Sequence, residues 1–170
     1  YYRRKDDKIT LLALHVDDVL IVCNDVPTLE AFKKAVKERF KVKDQGQING
    51  REFLRIDVDH DQAKGIVTLH CDRYIRSSLE KIGIKDGDLY PVATPICPPD
   101  PHAPSQLASA MTNQPSWDLR QISGIVTYAA TICRPDLAVA ALFISSRWEA
   151  LTVQDNENGK RVLRYLVGTL

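Results

Sequence analysis

Hydrophobic positions near the start of the chain come in two short, dense runs. "ITLLALHV" (Ile9 to Val16) and "VLIVC" (Val19 to Cys23) are apolar on both alternating faces and rich in β-branched residues. That pattern predicts two central strands of a covered sheet, joined by a tight turn at Asp17-Asp18. The period then lengthens. In "PTLEAFKKAVKERF", Leu29, Phe32, Val36 and Phe40 recur at helical spacing, with Thr28 or Asp25 placed to cap the start. Lys33, Lys34, Lys37 and Arg39 fill the remainder of that helix as a solvated face. A second hairpin is predicted from "EFLRIDV", the polar turn "DHDQAKG" and "IVTLHC". Asp72 then offers a cap for a helix with Ile75, Leu79 and Ile82 on one face, stopped by Gly83.

Between Pro91 and Pro115 lie seven of the nine prolines, which predicts a linker or an extended strap. Beyond it the pattern is purely helical. "SWDLRQISGIVTYAATI" sets Leu119, Ile122, Val126 and Ala129 in phase behind a Ser116 cap. "PDLAVAALFISSRWE" opens with Pro135 and Asp136, both favourable in a first turn. A last helix from about Asn156 to Val167 turns Val162, Leu163 and Leu166 inward and Lys160, Arg161 and Arg164 outward. The expected fold class is α+β, divided as 1–90, a proline-rich linker 91–115, and a helical part 116–170.

Composition narrows the function classes. At 170 residues with 44% hydrophobic and 26% charged, the chain can bury a core. A net charge of +1 excludes a strongly basic nucleic-acid binder by bulk charge, so any basic surface must be local. No apolar run approaches the ~20 residues of a membrane span. The chain opens on Tyr1-Tyr-Arg-Arg and carries its one methionine at Met111, which reads as a piece of a longer polypeptide. Four scattered cysteines form no Cys-x-x-Cys pair, and His70-Cys71 has no second pair at zinc spacing.

The densest local negative charge, Asp17-Asp18, sits at the junction of the two greasiest segments. Asp is common in turns because its side chain bonds its own backbone, so an ordinary turn is one reading. The other is a divalent-cation site, since carboxylates on a rigid hairpin are held still and Mg²⁺ prefers oxygen ligands. Two-ion phosphoryl transfer would need a further Asp from another chain segment.

"LLALHVDDVLIVCND" resembles the Tyr-x-Asp-Asp hairpin of reverse transcriptases, and that of copia-type long-terminal-repeat retrotransposons in particular. The likeness extends along the chain. "FKVKDQGQINGREFLRIDV" resembles the family's Lys-Asp-Leu-Gly followed by Phe-Leu-Gly-Ile, and "GIVTLHCDRYIRSSLEKIGI" its hairpin and helix with a Tyr-Ile pair at Tyr74-Ile75. "PVATPI" is similar to its Ser-Thr-Pro-Leu strap, "LRQISGIVTYAATICRPDLAVA" to its Tyr-Leu-Ala and Thr-Arg-Pro-Asp helix pair, and "KRVLRYLVGTL" to its Arg-Tyr-Leu-Lys-Gly-Thr ending. Order and spacing hold from about Ile9 to Thr169.

The resemblance implies a partial polymerase palm, an antiparallel sheet with helices, followed by a helical thumb-like subdomain. It implies RNA-directed DNA polymerase activity in a Pol polyprotein, with Mg²⁺ or Mn²⁺ at Asp17 and Asp18. The partners would be an RNA or DNA template-primer and a deoxynucleoside triphosphate. His15 would contact the primer, and the hairpin from about Glu52 to Cys71 would lie near the primer end. Lys43 would stand near the leaving group, and Lys160, Arg161 and Arg164 would grip phosphates. The parent element would work in a cytoplasmic virus-like particle and in the nucleus.

Three positions depart from the family pattern: His15 replaces its Tyr, Gln45 its Leu, and Arg55 the Gly of Phe-Leu-Gly-Ile. Asp6 and Asp7 belong to a charged lead-in, "RRKDDK", and are not promoted to ligands. The strand with the family's other catalytic Asp would precede Tyr1, and a ribonuclease H domain would follow Leu170. The segment alone is therefore expected to be inactive, and to self-associate through an exposed palm edge. A non-catalytic, domesticated remnant acting in assembly or protein binding is the alternative.

Overall fold

A computed structural model describes residues 1–85, 87–96, 118–146 and 153–170. These form two compact units, residues 1–48 and 49–170. Among the described residues, six strands in two antiparallel sheets and five α-helices make an α+β fold, as the sequence predicts.

In the first unit β1 (Tyr2–Lys5), β2 (Lys8–His15) and β3 (Asp18–Cys23) pair in that order, followed by α1 (Val26–Arg39). Strand β1 is an addition to the expected elements. Its residues are all exposed and mostly charged, so hydrogen bonding to β2 rather than apolar burial makes it a strand. Asp6 and Asp7 form its turn into β2, with Asp6 at φ 56°. The Asp25 side chain caps α1 by accepting from the Thr28 amide at 2.9 Å, and the Thr28 hydroxyl also donates to it. The apolar runs that suggested a covered sheet are not covered here: among residues 1–48 only Thr10 is buried, and Leu11, Leu14, Val19 and Val22 are exposed.

Asp25 gives this unit a pH dependence. The Thr28 hydroxyl, with Lys8 at 2.9 Å, holds its carboxyl down at about 2. A carboxyl with a lowered value stabilises the fold above its ordinary range and loses that contribution as pH falls toward the lowered one. The first turn of α1 is thus expected to stay protected at pH 5 and to fray between pH 4 and 2. Amide exchange at Thr28 and Leu29, followed across that range, measures it. Unchanged protection at pH 2 would mean the cap does not hold the helix.

The second unit holds the core. Strands β4 (Arg51–Phe53), β5 (Ile56–Asp61) and β6 (Ile66–His70) lead into α2 (Asp72–Lys81). The helices α3 (Leu119–Ile132), α4 (Ala138–Ser145) and α5 (Val153–Gly168) follow. Ile75 and Leu79 of α2, Ile122 and Val126 of α3, Ile144 of α4, and Val162, Leu163 and Leu166 of α5 pack in one buried cluster. The predicted inward faces of these helices are therefore the ones that meet. Because α2 shares this core, the hairpin region groups with the helical part, ahead of the prolines.

Three local expectations differ from the structure. "EFLRIDV" is not one strand but two, broken by a two-residue turn at Leu54-Arg55. Asp72 is the first residue of α2 rather than its cap, and the side chain of Cys71, in the cap position, makes no capping bond to the helix. The buried Asp57 on β5 serves instead, accepting from the Arg73 amide at 3.2 Å. The helix opening on Pro135 starts as a 3₁₀ turn, Pro135–Leu137, because the ring-fixed proline precedes the α-helical spacing. The Ser116 cap lies outside the described residues, as does most of the strap; Asp118 caps α3 by accepting from the Arg120 amide.

The described part of the strap is anchored on α5. Arg164 Nε donates to the Tyr90 carbonyl at 2.7 Å, and Arg161 Nη2 to the Thr94 hydroxyl at 2.8 Å. A Cβ at Gly168 would stand 2.7 Å from the Pro91 Cβ, so the strap's approach requires glycine at that position. At the start of the 3₁₀ turn, Arg134 pairs with Asp136 at 2.8 Å, and the Tyr165 hydroxyl donates to the same carboxylate at 2.7 Å. The Arg-Pro-Asp and Arg-Tyr-Leu motifs meet there, holding the turn after α3 against α5.

Candidate metal-binding hairpin

Leu12, Ala13 and Leu14 pair with Ile21, Leu20 and Val19, and this register brings His15 opposite Asp18. The turn residues are thus Val16 and Asp17, one position earlier than the sequence suggests, and Asp18 already belongs to β3. Val16 sits at φ 53° while Asp17 keeps negative φ, the signs of a type II′ hairpin turn. That first turn position favours glycine; a β-branched valine in it is an outlier costing about 1–3 kcal/mol. The paired strands on either side hold the corner on which Asp17 stands.

Cross-strand partners share a sheet face, so the side chains of Asp18 and His15 project to the same side. Asp17 and Asp18 are both exposed, and neither side chain makes a hydrogen bond or ion pair among the described residues. Two unneutralised carboxylates, adjacent on a rigid corner, are a donor set that suits a hard cation. Mg²⁺ takes one or two carboxylates and completes its shell with water and substrate phosphates, so the pair fits it. Among the described residues no group of three or more His, Cys, Asp or Glu could hold a metal.

The other candidate residues lie apart from it in the chain. Lys43, on the segment after α1, is exposed and makes no ion pair among the described residues, while its neighbour Asp44 engages Lys33 and Lys37. Lys160 is half-buried on α5. Arg161 and Arg164 each use one donor on the strap.

Sequence reasoning passed over a charged cluster at the β5–β6–α2 junction. His70 Nε2 lies 3.1 Å from Asp59 and its Nδ1 3.3 Å from Asp72, while Arg73 Nε lies 3.1 Å from the buried Asp57. The signal was the alternation of Asp57 and Asp59 along one strand face opposite His70, which only the pairing register makes visible. Its bonds to the start of α2 make it a joint between sheet and helix.

The profile of the reverse transcriptase (RNA-dependent DNA polymerase) family matches residues 1–98, spanning both hairpins and α2. The chain belongs to the reverse transcriptase family. It is 27% identical over 99% of its length to the retrovirus-related Pol polyprotein from transposon TNT 1-94 of Nicotiana tabacum. It is 31% identical over 98% to that from transposon RE1 of Arabidopsis thaliana. An uncharacterized mitochondrial protein of Arabidopsis thaliana is 30% identical over 94% of the chain. These relatives place this reverse transcriptase segment in the copia type. It spans 13% of the tobacco polyprotein and 11% of RE1, and 62% of the mitochondrial protein. No solved structure matches it. No helix among the described residues is long and apolar enough to cross a membrane.

Proposed function

We propose that the chain is the palm-to-thumb portion of a copia-type RNA-directed DNA polymerase, with Asp17 and Asp18 as metal ligands in nucleotidyl transfer. The observation that carries this reading is the pair of unpartnered carboxylates on a strained, rigid hairpin corner. When bound, Mg²⁺ or Mn²⁺ lowers the pKa of the primer hydroxyl and neutralises charge on the leaving pyrophosphate. Asp17 and Asp18 would hold that charge at the end of the hairpin. His15, beside Asp18, faces the primer with an imidazole where the family has tyrosine. Lys43 stands near the leaving group. Lys160 and the Nη donors that Arg161 and Arg164 leave unused contact the phosphates of the template-primer, whereas the Arg161 Nε is buried, and such binding weakens with salt. The parent element works in a virus-like particle and in the nucleus.

One carboxylate segment cannot assemble a two-ion site, so the isolated chain is inactive. Primer extension tests both halves of the reading. A parent polyprotein containing this segment is expected to extend a primer on an RNA template with deoxynucleoside triphosphates and Mg²⁺, and the isolated chain is not. Template-dependent product from the isolated chain would overturn its incompleteness. A silent parent, folded and intact, would favour the domesticated assembly module.

The bare sheet of residues 1–48 supports self-association of the isolated chain. With β1 against one side of β2, the free edges are β1 and β3. Strand β1 carries Arg3, Arg4 and Lys5, which oppose their own copies, whereas β3 is apolar after Asp18. Light scattering is expected to give a mass above that of one chain at high concentration. A monodisperse monomer would remove this expectation.

A further inference from the structure

On α5, Arg161 has a donor in use beside one that is not. Its Nη2 donates to the Thr94 hydroxyl at 2.8 Å, while its Nε is buried and has no hydrogen-bond partner among the described residues. A buried N–H without an acceptor carries a desolvation cost and calls for an explanation. Nε and Nη2 form one edge of the planar guanidinium, the edge that grips two oxygens of a single anion. Arg134 uses it so: its Nε and Nη2 donate to the two carboxylate oxygens of Asp136 at 3.1 and 2.8 Å. Thr94 offers Arg161 one oxygen, and the edge is half used.

The Thr94 hydroxyl is placed to gain more oxygens. Thr94 is exposed, on a strap segment that is neither strand nor helix, and Pro95 follows it. Proline pushes the residue before it into extended backbone. An exposed hydroxyl followed by proline on an extended segment is what a proline-directed protein kinase accepts. Thr94-Pro95 is the one Ser-Pro or Thr-Pro pair in the 170 residues. We propose that Thr94 is a phosphorylation site and that the Nε–Nη2 edge of Arg161 receives its phosphoryl group. Because Thr94 Oγ1 accepts from Arg161, its own proton is left for the kinase's base to remove. Oγ1 then bonds to the γ-phosphorus of ATP, the bond from that phosphorus to the bridging oxygen breaks, and its electron pair leaves with ADP. The added group brings a charge of about −1.5 to −2 and three acceptor oxygens, enough for both donors of the edge. It ties the strap to α5 more tightly. Neither step depends on the polymerase reading.

The test treats the folded 170-residue chain with a proline-directed kinase and Mg-ATP, read by intact mass and by peptide sequencing. One phosphoryl group per chain is expected, on Thr94, and none on the strap of Thr94→Val. Phosphorylation is expected to raise the melting temperature by about 4 °C. Phosphorus NMR is expected to put the second ionisation of the phosphate below its usual value of about 6, because the guanidinium favours the dianion. Arg161→Lys keeps the charge without the planar edge, so the phosphate is still added and most of the melting gain is lost. A folded chain left unmodified at Thr94 overturns the site. Equal melting gains and equal phosphate titrations in the native and Arg161→Lys chains overturn the role of Arg161 and leave the site standing.

Discussion

Asparagine at Asp17 or Asp18 is expected to lower nucleotide addition by the parent polymerase about a thousandfold or more, without lowering the melting temperature. The two effects separate because of where the carboxylates sit. Both are exposed and free of hydrogen bonds and ion pairs among the described residues, so folding does not use their charge. Their chemistry would be used in full. A cation at a phosphoryl-transfer site supplies several kcal/mol of transition-state stabilisation, and each 1.36 kcal/mol is tenfold in rate. Asparagine keeps the shape of the side chain and is equally tolerated in turns, so the backbone at the Val16 corner is preserved. Single-turnover primer extension in Mg²⁺ measures the loss, with thermal melting of the same variants as the control. A variant retaining a tenth of the parent rate would show that its carboxylate is not a ligand.

Truncating Leu163 to alanine is expected to destabilise the second unit by about 3 kcal/mol, whereas Leu12→Ala in the first unit costs under about 1 kcal/mol. Leu163 is fully buried among Ile122, Val126 and Leu166, so its loss removes both transfer energy and close packing. Leu12 sits mid-strand in a sheet where only Thr10 is buried, and there is little packing to lose. Amide exchange with urea melting resolves the two units. Leu163→Ala should speed exchange in α3 and α5 and leave β2 and β3 as they were. Equal losses from the two substitutions would mean that the sheet of residues 1–48 is covered in solution.

The helices were largely legible because helical periodicity records which face is buried. Leu119, Ile122, Val126 and Ala129 were in phase in the sequence and all four are in the core. Strand β1 was not legible, because an exposed, charged edge strand owes its existence to a neighbour's free amides and carbonyls. The split of "EFLRIDV" was hidden for a related reason. Leucine and arginine carry no turn signal, and the sole hint was the family glycine at the position of Arg55. At the candidate site, the adjacency of Asp17 and Asp18 and the rigid strands around them were plain. Their register was not: a shift of one residue in the turn moves Asp18 from the corner onto β3, opposite His15.

By itself, the order of residues determined the family, the α+β composition, the inward faces of the helices and the presence of a carboxylate pair between two apolar strands. These follow from local pattern, since periodicity and motif spacing are properties of neighbours along the chain. Tertiary structure alone decided that Arg161 and Arg164 bind the strap, that Asp57 rather than Asp72 caps α2, and that Tyr128 latches a turn 74 residues away. Those contacts join residues far apart in sequence. Their partners are selected by packing geometry and by the need of buried polar groups for hydrogen bonds, and neither leaves a local trace.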